Sequence, residues 1–225
     1  MVVLVSALLA GFTASAPARG QTGDPPAEQG EATAYKPPLR GAPGGRVGGA
    51  SRSASVPRVP LPVIELLAPA DHTGVTARPD PTLYFLMSRP APWPLQFTVS
   101  APMQPAPIVD VTIPSPTAAG LQAISTGIYR VRLQPGTVYT WSVSVLIDQR
   151  AWSRNIVASA TILYDPGART AETSAASLAG SGLWYDAVAA AMEEHGRGRP
   201  GPLAALMRQA GVGSTSNETA GVGTQ

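Results

Sequence analysis

Hydrophobic and polar residues alternate with a period of two along the middle of the chain, between about residues 62 and 164. Leu95, Phe97 and Val99, for example, are separated by single polar residues. This period is typical of a β-strand that buries one face. The pattern predicts seven strands, at residues 63–68, 82–88, 95–100, 108–113, 129–133, 137–148 and 155–164.

The connections between these strands indicate the architecture. Parallel neighbours need crossovers of about a dozen residues or more, which are usually helical, and most of these strands are joined by shorter segments without a helical pattern. We therefore expect a mainly β domain at residues 61–166, an antiparallel β-sandwich with immunoglobulin-like topology. The chain has no cysteine, so Trp141 would pack in the core without an inter-sheet disulfide. A closed barrel is the alternative architecture.

Beyond the strands the hydrophobic period changes to 3.6, which predicts two or three short C-terminal helices within residues 167–211. The clearest of them has a broad apolar stripe, with Ser181 placed to cap its start and Gly196 placed to end it. Another begins near Pro202. Helices of this length are not stable alone, so we expect their apolar faces to pack on the β domain.

Both ends of the chain differ in composition from the middle. Residues 2–16 are apolar and uncharged, and Ala16-Pro17-Ala18 matches a signal-peptidase site, so residues 1–18 are predicted to be a signal peptide. An apolar run of this length is short for a membrane span, and we expect a periplasmic or extracellular protein without a transmembrane segment in its mature chain. Residues 19–60 are predicted to be a disordered to Arg/Gly/Pro-rich linker, and 212–225 a disordered tail.

Composition excludes several classes of function. The absence of cysteine excludes disulfides and thiolate metal sites. The formal net charge of +2 and the two histidines give little basis for nucleic-acid binding or for metal chemistry. We therefore expect no nucleic-acid partner, no metal and no cofactor, and glycines without a phosphate-loop pattern support the last point.

The linker carries a run of positive charge. Lys36, Arg40, Arg46, Arg52 and Arg58 occur without an acidic residue between the first and the last. Such a run can contact a polyanionic envelope polymer or acidic lipid headgroups. The alternative, which we favour, is a solvated tether or a segment whose arginines pair with carboxylates of the domain. Arg40, Arg46 and Arg52 are kept as candidate binding residues.

Neither histidine has a strong catalytic context. Asp71-His72 could act as a general-base pair, because a carboxylate can orient an imidazole, but no serine-nucleophile motif accompanies it. We expect a loop cap with a solvent-facing histidine instead. His195 should complement a helix C-terminus, and its acidic neighbours lack the spacing of a helical metal pair. No catalytic residue is therefore assigned.

The tripeptide Trp184-Tyr185-Asp186 offers the best candidate binding residues outside the linker. In one interpretation, Tyr185 and Asp186 line a groove between a helix and the sheets, for a peptide or a glycan. In the other, which we favour, Trp184 is part of the core, Tyr185 bridges to a sheet, and Asp186 pairs with a linker arginine such as Arg46. Aromatic residues at helical spacing are usually packing residues.

Four segments together resemble a known bacterial family. They are the arginine-glycine block at 40–52, Leu67-Ala68-Pro69, the strand at 82–86 and the sequence Gly-Leu-Trp-Tyr-Asp-Ala at 182–187. The chain is similar, over about residues 36–211, to the bacterial family described as domain of unknown function 928. The resemblance implies export and the same architecture, and it implies no particular reaction.

These observations favour a non-catalytic binding or scaffold module of the bacterial envelope, whose partner is an envelope protein or a polyanionic polymer. One alternative is a glycan hydrolase that uses carboxylates alone, which needs two carboxyl groups about 5–10 Å apart in a cleft. Another is the extracytoplasmic sensor subunit of a membrane complex. The carboxylates considered for the hydrolase are Glu65, Asp71, Asp80, Asp110 and Asp148.

Overall fold

Eight β-strands and three α-helices make up the regular structure of the described part of the chain, which is mainly β. The computed structural model describes residues 33–38, 46, 59–150 and 152–213. All of these belong to one unit, residues 31–225. The predicted signal peptide at 1–18, and most of the predicted linker and tail, lie outside the described residues.

Along the chain, all eight strands precede the three α-helices. The strands are β1 (Ile64–Leu66), β2 (Gly74–Thr76), β3 (Thr82–Met87), β4 (Leu95–Ser100), β5 (Val109–Ile113), β6 (Gly120–Ser125), β7 (Val138–Val145) and β8 (Ile156–Tyr164). The helices are α1 (Ala175–Gly180), α2 (Trp184–Gly196) and α3 (Gly201–Gln209).

The strands form two sheets. One has three strands in the order β1-β3-β6, all antiparallel, and the other has five strands in the order β2-β8-β7-β4-β5. Within the larger sheet every pair is antiparallel except β2 and β8, which run parallel. Each sheet has two edge strands, so the described strands do not form the closed barrel considered as an alternative.

Alternation of burial confirms six of the seven predicted strands. Along β4, Leu95, Phe97 and Val99 are buried and their neighbours are half-buried. The same pattern holds in β3 and through most of β7, where Trp141 is completely buried. These inward-facing residues belong to one hydrophobic cluster, to which both sheets and the three helices contribute. Burial of this apolar surface is the main source of stability.

The strand predicted at 129–133 was wrong. A 3₁₀ helix occupies Thr126–Tyr129, and Arg130 follows it with a left-handed backbone, φ 57°. A left-handed residue interrupts an extended strand. Val131 and Leu133 are nevertheless buried, and the backbone N–H of Leu133 donates to the carbonyl of Pro79. The alternation therefore reported burial correctly in a segment that is not a strand.

Two strands were missed. β2 has three residues, all buried, so it has no alternation to detect. β6 has mostly half-buried residues and one fully buried side chain, Ile124, among those that pair with β3. Short or two-sided strands lack the period-two signal on which the prediction depended.

Three C-terminal helices are present, as expected. Ser174 caps α1 by accepting a hydrogen bond from the backbone N–H of Ser177. The predicted role of Ser181 as the cap of α2 was wrong, because Ser181 ends α1 and Leu183 precedes α2. None of the helices in the described ranges has the length and apolar character required to cross a membrane.

Candidate functional site

Trp184 begins α2 and anchors it in the core. Its side chain is buried, and its indole N–H donates to the carbonyl oxygen of Leu67 at 3.0 Å, just after β1. A buried indole needs such a partner, because an unpaired polar group in the interior costs free energy. Trp184 is therefore a packing residue, as the favoured interpretation held.

Tyr185 connects α2 to the larger sheet. Its hydroxyl donates to the carbonyl of Thr161 on β8 at 2.9 Å and accepts from the indole N–H of Trp141 on β7 at 3.0 Å. Burial raises the pKa of Tyr185 above its ordinary value, so the phenol stays protonated. A β-carbon built on Gly74 of β2 would lie 2.6 Å from the Tyr185 ring. Only glycine at that position leaves room for the ring.

Asp186 lies one residue further along the first turn of α2. Its carboxylate accepts from the backbone N–H of Ala77 at 2.9 Å and from the hydroxyl of Thr76. Burial raises the pKa of Asp186, while these hydrogen bonds and the nearby charge of Arg78 oppose the rise. The predicted pairing with Arg46 was wrong: Asp186 holds the chain after β2 instead.

A groove of about 650 Å³ opens beside Asp186, and we call it the helix-side groove. It lies between α2, the loop that joins β2 to β3, and the segment that joins β8 to α1. This is the kind of groove that one interpretation of the tripeptide required, although Tyr185 is buried away from it. The described residues that line it are Ala77, Arg78, Pro79, Asp80, Arg169, Thr170, Glu172, Thr173, Leu178, Leu183, Asp186, Ala189, Ala190, Glu193, Glu194 and Arg197.

Charged side chains of both signs line the helix-side groove together with small apolar residues. Arg78, Arg169 and Arg197 contribute cationic groups, and Arg197 pairs with Glu193 on α2 at 3.2 Å. Glu194 is buried, and its carboxylate accepts from the backbone N–H of Ala175 at the start of α1. That carboxylate thereby fixes α1 against α2 and stabilises one wall of the groove.

The linker arginines have different positions. Arg46 is half-buried, its guanidinium donates to the carbonyl of Leu66 at 2.9 Å, and its backbone N–H donates to Ala70. Burial lowers the pKa of Arg46, and the charge of Glu65 opposes this. Arg46 is therefore bound to the domain rather than offered to a ligand. Arg40 and Arg52 lie outside the described residues.

A short part of the predicted linker packs on the helices, which the sequence analysis did not foresee. We call this part, residues 33–38, the strap. The side chain of Gln209 on α3 donates to the carbonyl of Thr33 and accepts from the backbone N–H of Tyr35. The backbone N–H of Lys36 donates to Ala179 at the end of α1. An aromatic residue isolated in a polar segment, Tyr35, was the available signal for such packing.

His72 is held by the strap and is not the solvent-facing residue that was expected. The Asp71 carboxylate accepts a hydrogen bond from His72 Nδ1, 2.7 Å away, and the Tyr35 hydroxyl forms a hydrogen bond with His72 Nε2, 2.9 Å away. The Tyr35 ring also packs edge-on against Trp184, with ring centroids 4.7 Å apart. The histidine hydrogen bond lowers the pKa of Asp71, and burial raises that of Tyr35.

The described residues contain no group of three or more His, Cys, Asp or Glu side chains arranged to hold a metal ion. His195 is exposed near the end of α2, at the position that the helix dipole favours for a cation. Of the five carboxylates considered for a hydrolase, Asp80 lines the helix-side groove and the other four do not.

No curated protein and no solved structure matches the chain significantly. The model of one protein family does match, over residues 47–218, which is well over half of the chain. That match includes β1 to β8 and all three helices. The chain therefore belongs to the family described as Domain of Unknown Function (DUF928).

Proposed function

We propose that the chain is a non-catalytic binding or scaffold module of the bacterial envelope and that the helix-side groove is its binding site. In this proposal residues 1–18 direct export and are then removed. Among the candidate binding residues, Asp186 lines the groove and holds the β2–β3 loop through Ala77. Trp184 and Tyr185 support the site from the core.

The observation that carries the proposal is the construction of the groove. Three separate segments meet there, and hydrogen bonds fix them: the partly buried ones from Asp186 to Ala77 and from Tyr185 to Thr161, and the buried one from Glu194 to Ala175. A concave surface that is preformed in this way loses little conformational entropy on binding. The groove is therefore suited to hold a partner.

The lining favours an extended peptide segment of a partner protein. Arginines and carboxylates are among its lining residues, and Leu178, Ala189 and Ala190 supply apolar surface. A peptide can complement charges of both signs and place small apolar side chains between them. None of the described lining residues is aromatic, so the groove offers a sugar ring no aromatic face to stack on.

The hydrolase alternative receives less support. Asp186 and Glu194 already accept hydrogen bonds from backbone N–H groups, so their oxygens are less available to attack a substrate as nucleophiles or to accept a proton from water. Glu193 is paired with Arg197. The sensor-subunit alternative uses the same groove and differs from the proposal only in the identity of the partner.

The proposal includes a finer architecture, in which the two sheets pack as an immunoglobulin-like β-sandwich. In that topology strands A, B and E share one sheet and strands G, F and C share the other. The order β1-β3-β6 and the order β8-β7-β4 correspond to these two sets. The Tyr139 hydroxyl at the start of β7 also accepts from the backbone N–H of Gln134 at 3.1 Å, like the tyrosine corner before strand F. These two observations support the assignment.

Site-directed photo-crosslinking in the native envelope tests the binding site. A photoreactive amino acid is placed at Thr170, which lines the groove, and in a control protein at Thr112, an exposed position on β5. We expect one dominant protein adduct from position 170 and none from position 112. Equal adducts from both positions, or no adduct from position 170, would contradict the proposal. Recovery of glycan fragments alone from position 170 would favour the hydrolase.

A further inference from the structure

A second surface lies at the end of the sheets where β4 finishes and β7 begins. Ser100 pairs with Thr140 at this end, so the loop between β4 and β5 lies beside the segment that precedes β7. Between the two loops is a groove of about 440 Å³, separate from the helix-side groove. We call this surface the arginine end; its members are Met103, Ile108, Ile128, Arg130 and Arg132.

The charge of the arginine end is positive. Arg130 and Arg132 are exposed and line the groove, and no carboxylate occurs among its described lining residues. Asp80 lies beside Gly127 in the neighbouring 3₁₀ helix and is not part of the lining. Two arginines in a lining that contains no described carboxylate attract anions, and a guanidinium binds phosphate oxygens well.

Exposed apolar side chains accompany the arginines. Met103 is fully exposed, Ile128 is 76% exposed and Ile108 is 40% exposed. Met103 lies in the β4–β5 loop and Ile128 in the 3₁₀ helix; neither lines the groove, but each is the chain neighbour of a lining residue, Pro102 and Tyr129 respectively. Large apolar residues grouped in this way usually mark a surface that contacts another apolar phase.

The backbone at the arginine end has two unusual conformations. Met103 (φ 63°) and Arg130 (φ 57°) are the two non-glycine residues with a left-handed backbone in the described part of the chain. Such a conformation is uncommon for a side chain of this size and costs free energy. Both of these residues lie on the surface that also carries the exposed apolar side chains and the arginines.

We propose that the arginine end docks on an anionic lipid bilayer, with Met103 and Ile128 entering the interface and with Arg130 and Arg132 binding headgroup phosphates. Apolar side chains flanked by basic residues bind such interfaces through area burial and electrostatic attraction together. An acidic peptide would fill the groove but would leave the exposed Met103 and Ile128 in water. A bilayer can bind the arginines through its headgroups and also bury the side chains of Met103 and Ile128.

The absence of cysteine allows a site-specific test in the full chain. Met103→Cys and Ile128→Cys are labelled singly with an environment-sensitive dye, and Trp152→Cys is the matched control, because Trp152 is exposed in the β7–β8 loop at the opposite end. With vesicles that contain about one-third phosphatidylglycerol, we expect blue-shifted emission at positions 103 and 128 and no shift at 152. Pure phosphatidylcholine vesicles should give little change at any position.

Charge removal tests the role of the arginines in the same assay. Arg130→Asn suits the left-handed backbone, because asparagine tolerates it, and Arg132→Gln keeps a similar length. Vesicle affinity should fall by about fivefold for each arginine removed at low ionic strength. The Ile128→Ser variant should lose affinity as well, and thermal unfolding verifies that each variant is folded.

Three outcomes would overturn the proposal. One is the absence of a spectral shift at positions 103 and 128 with anionic vesicles. Another is an equal shift at position 152, which would indicate unspecific adsorption of the chain. The third is an equal shift with soluble polyglutamate in place of vesicles, which would assign the surface to an acidic polymer or peptide. None of these outcomes bears on the helix-side groove.

Discussion

The Tyr185 hydroxyl provides the sharpest test of how α2 is fixed to the larger sheet. The substitution Tyr185→Phe removes a single oxygen atom and keeps the ring that packs against Gly74. It removes two hydrogen bonds, one accepted from Trp141 and one donated to Thr161. The effect on stability therefore reports these contacts with little change in packing.

The expected magnitude follows from the burial of the two partners. The indole N–H of Trp141 is left buried without an acceptor, which costs about 1–3 kcal/mol. Loss of the hydrogen bond to the partly buried Thr161 carbonyl adds about 1 kcal/mol. We expect the free energy of unfolding to fall by about 2–4 kcal/mol in total.

Urea unfolding measures this change. With a dependence on urea of about 2 kcal/mol per molar, the midpoint should fall by about 1–2 M with an unchanged slope. The matched control is Tyr164→Phe, because the half-buried Tyr164 has no hydroxyl hydrogen bond to any described residue. Its free energy of unfolding should change by less than about 0.5 kcal/mol. If Tyr185→Phe were as stable as the control, the bridge between α2 and the sheet would be refuted.

Four further predictions concern the same region and the N-terminus. Gly74→Ala should lower the free energy of unfolding by about 1–3 kcal/mol through overpacking against the aromatic ring of α2, whereas Gly180→Ala, which has open space around it, should not destabilise. Asp186→Ala should cost about 1–3 kcal/mol in urea unfolding by leaving the Ala77 N–H unpaired, and Asp186→Asn should restore most of this loss. Burial raises the pKa of Asp186, so the wild type should lose stability relative to Asp186→Asn as the pH rises from below the ordinary aspartate pKa to above the raised one. A difference in the free energy of unfolding that does not change with pH would contradict the raised pKa. N-terminal sequencing of the exported protein should begin directly after Ala18, and an intact N-terminus would contradict processing there.

The strands were predictable to the extent that each buries one face. β3, β4 and β7 were found from alternation alone, since buried residues recur at every second position along β3 and β4 and through most of β7. β2 and β6 were missed because neither shows that period. The segment after Tyr129 was misassigned because the left-handed Arg130 cannot be inferred from a pattern of hydrophobicity.

The site was predictable in part for a different reason. Helical spacing indicated that Trp184 is buried and that Tyr185 reaches a sheet, and both were confirmed. The partner of Asp186 depends on which backbone N–H lies opposite it in space, and the sequence contains no signal for that. The same holds for Gly74, where a side chain is excluded by the ring of Tyr185, a residue more than a hundred positions away in the sequence.

Filling the helix-side groove tests the central proposal most directly. Ala190→Trp places a bulky side chain in the groove from α2, and Ala123→Trp places the same side chain at an exposed position on β6. Crosslinking from position 170 is then compared in the two proteins in the native envelope. The proposal predicts that the protein adduct disappears with Ala190→Trp and persists with Ala123→Trp. An adduct of undiminished yield from the filled groove would show that the partner binds elsewhere.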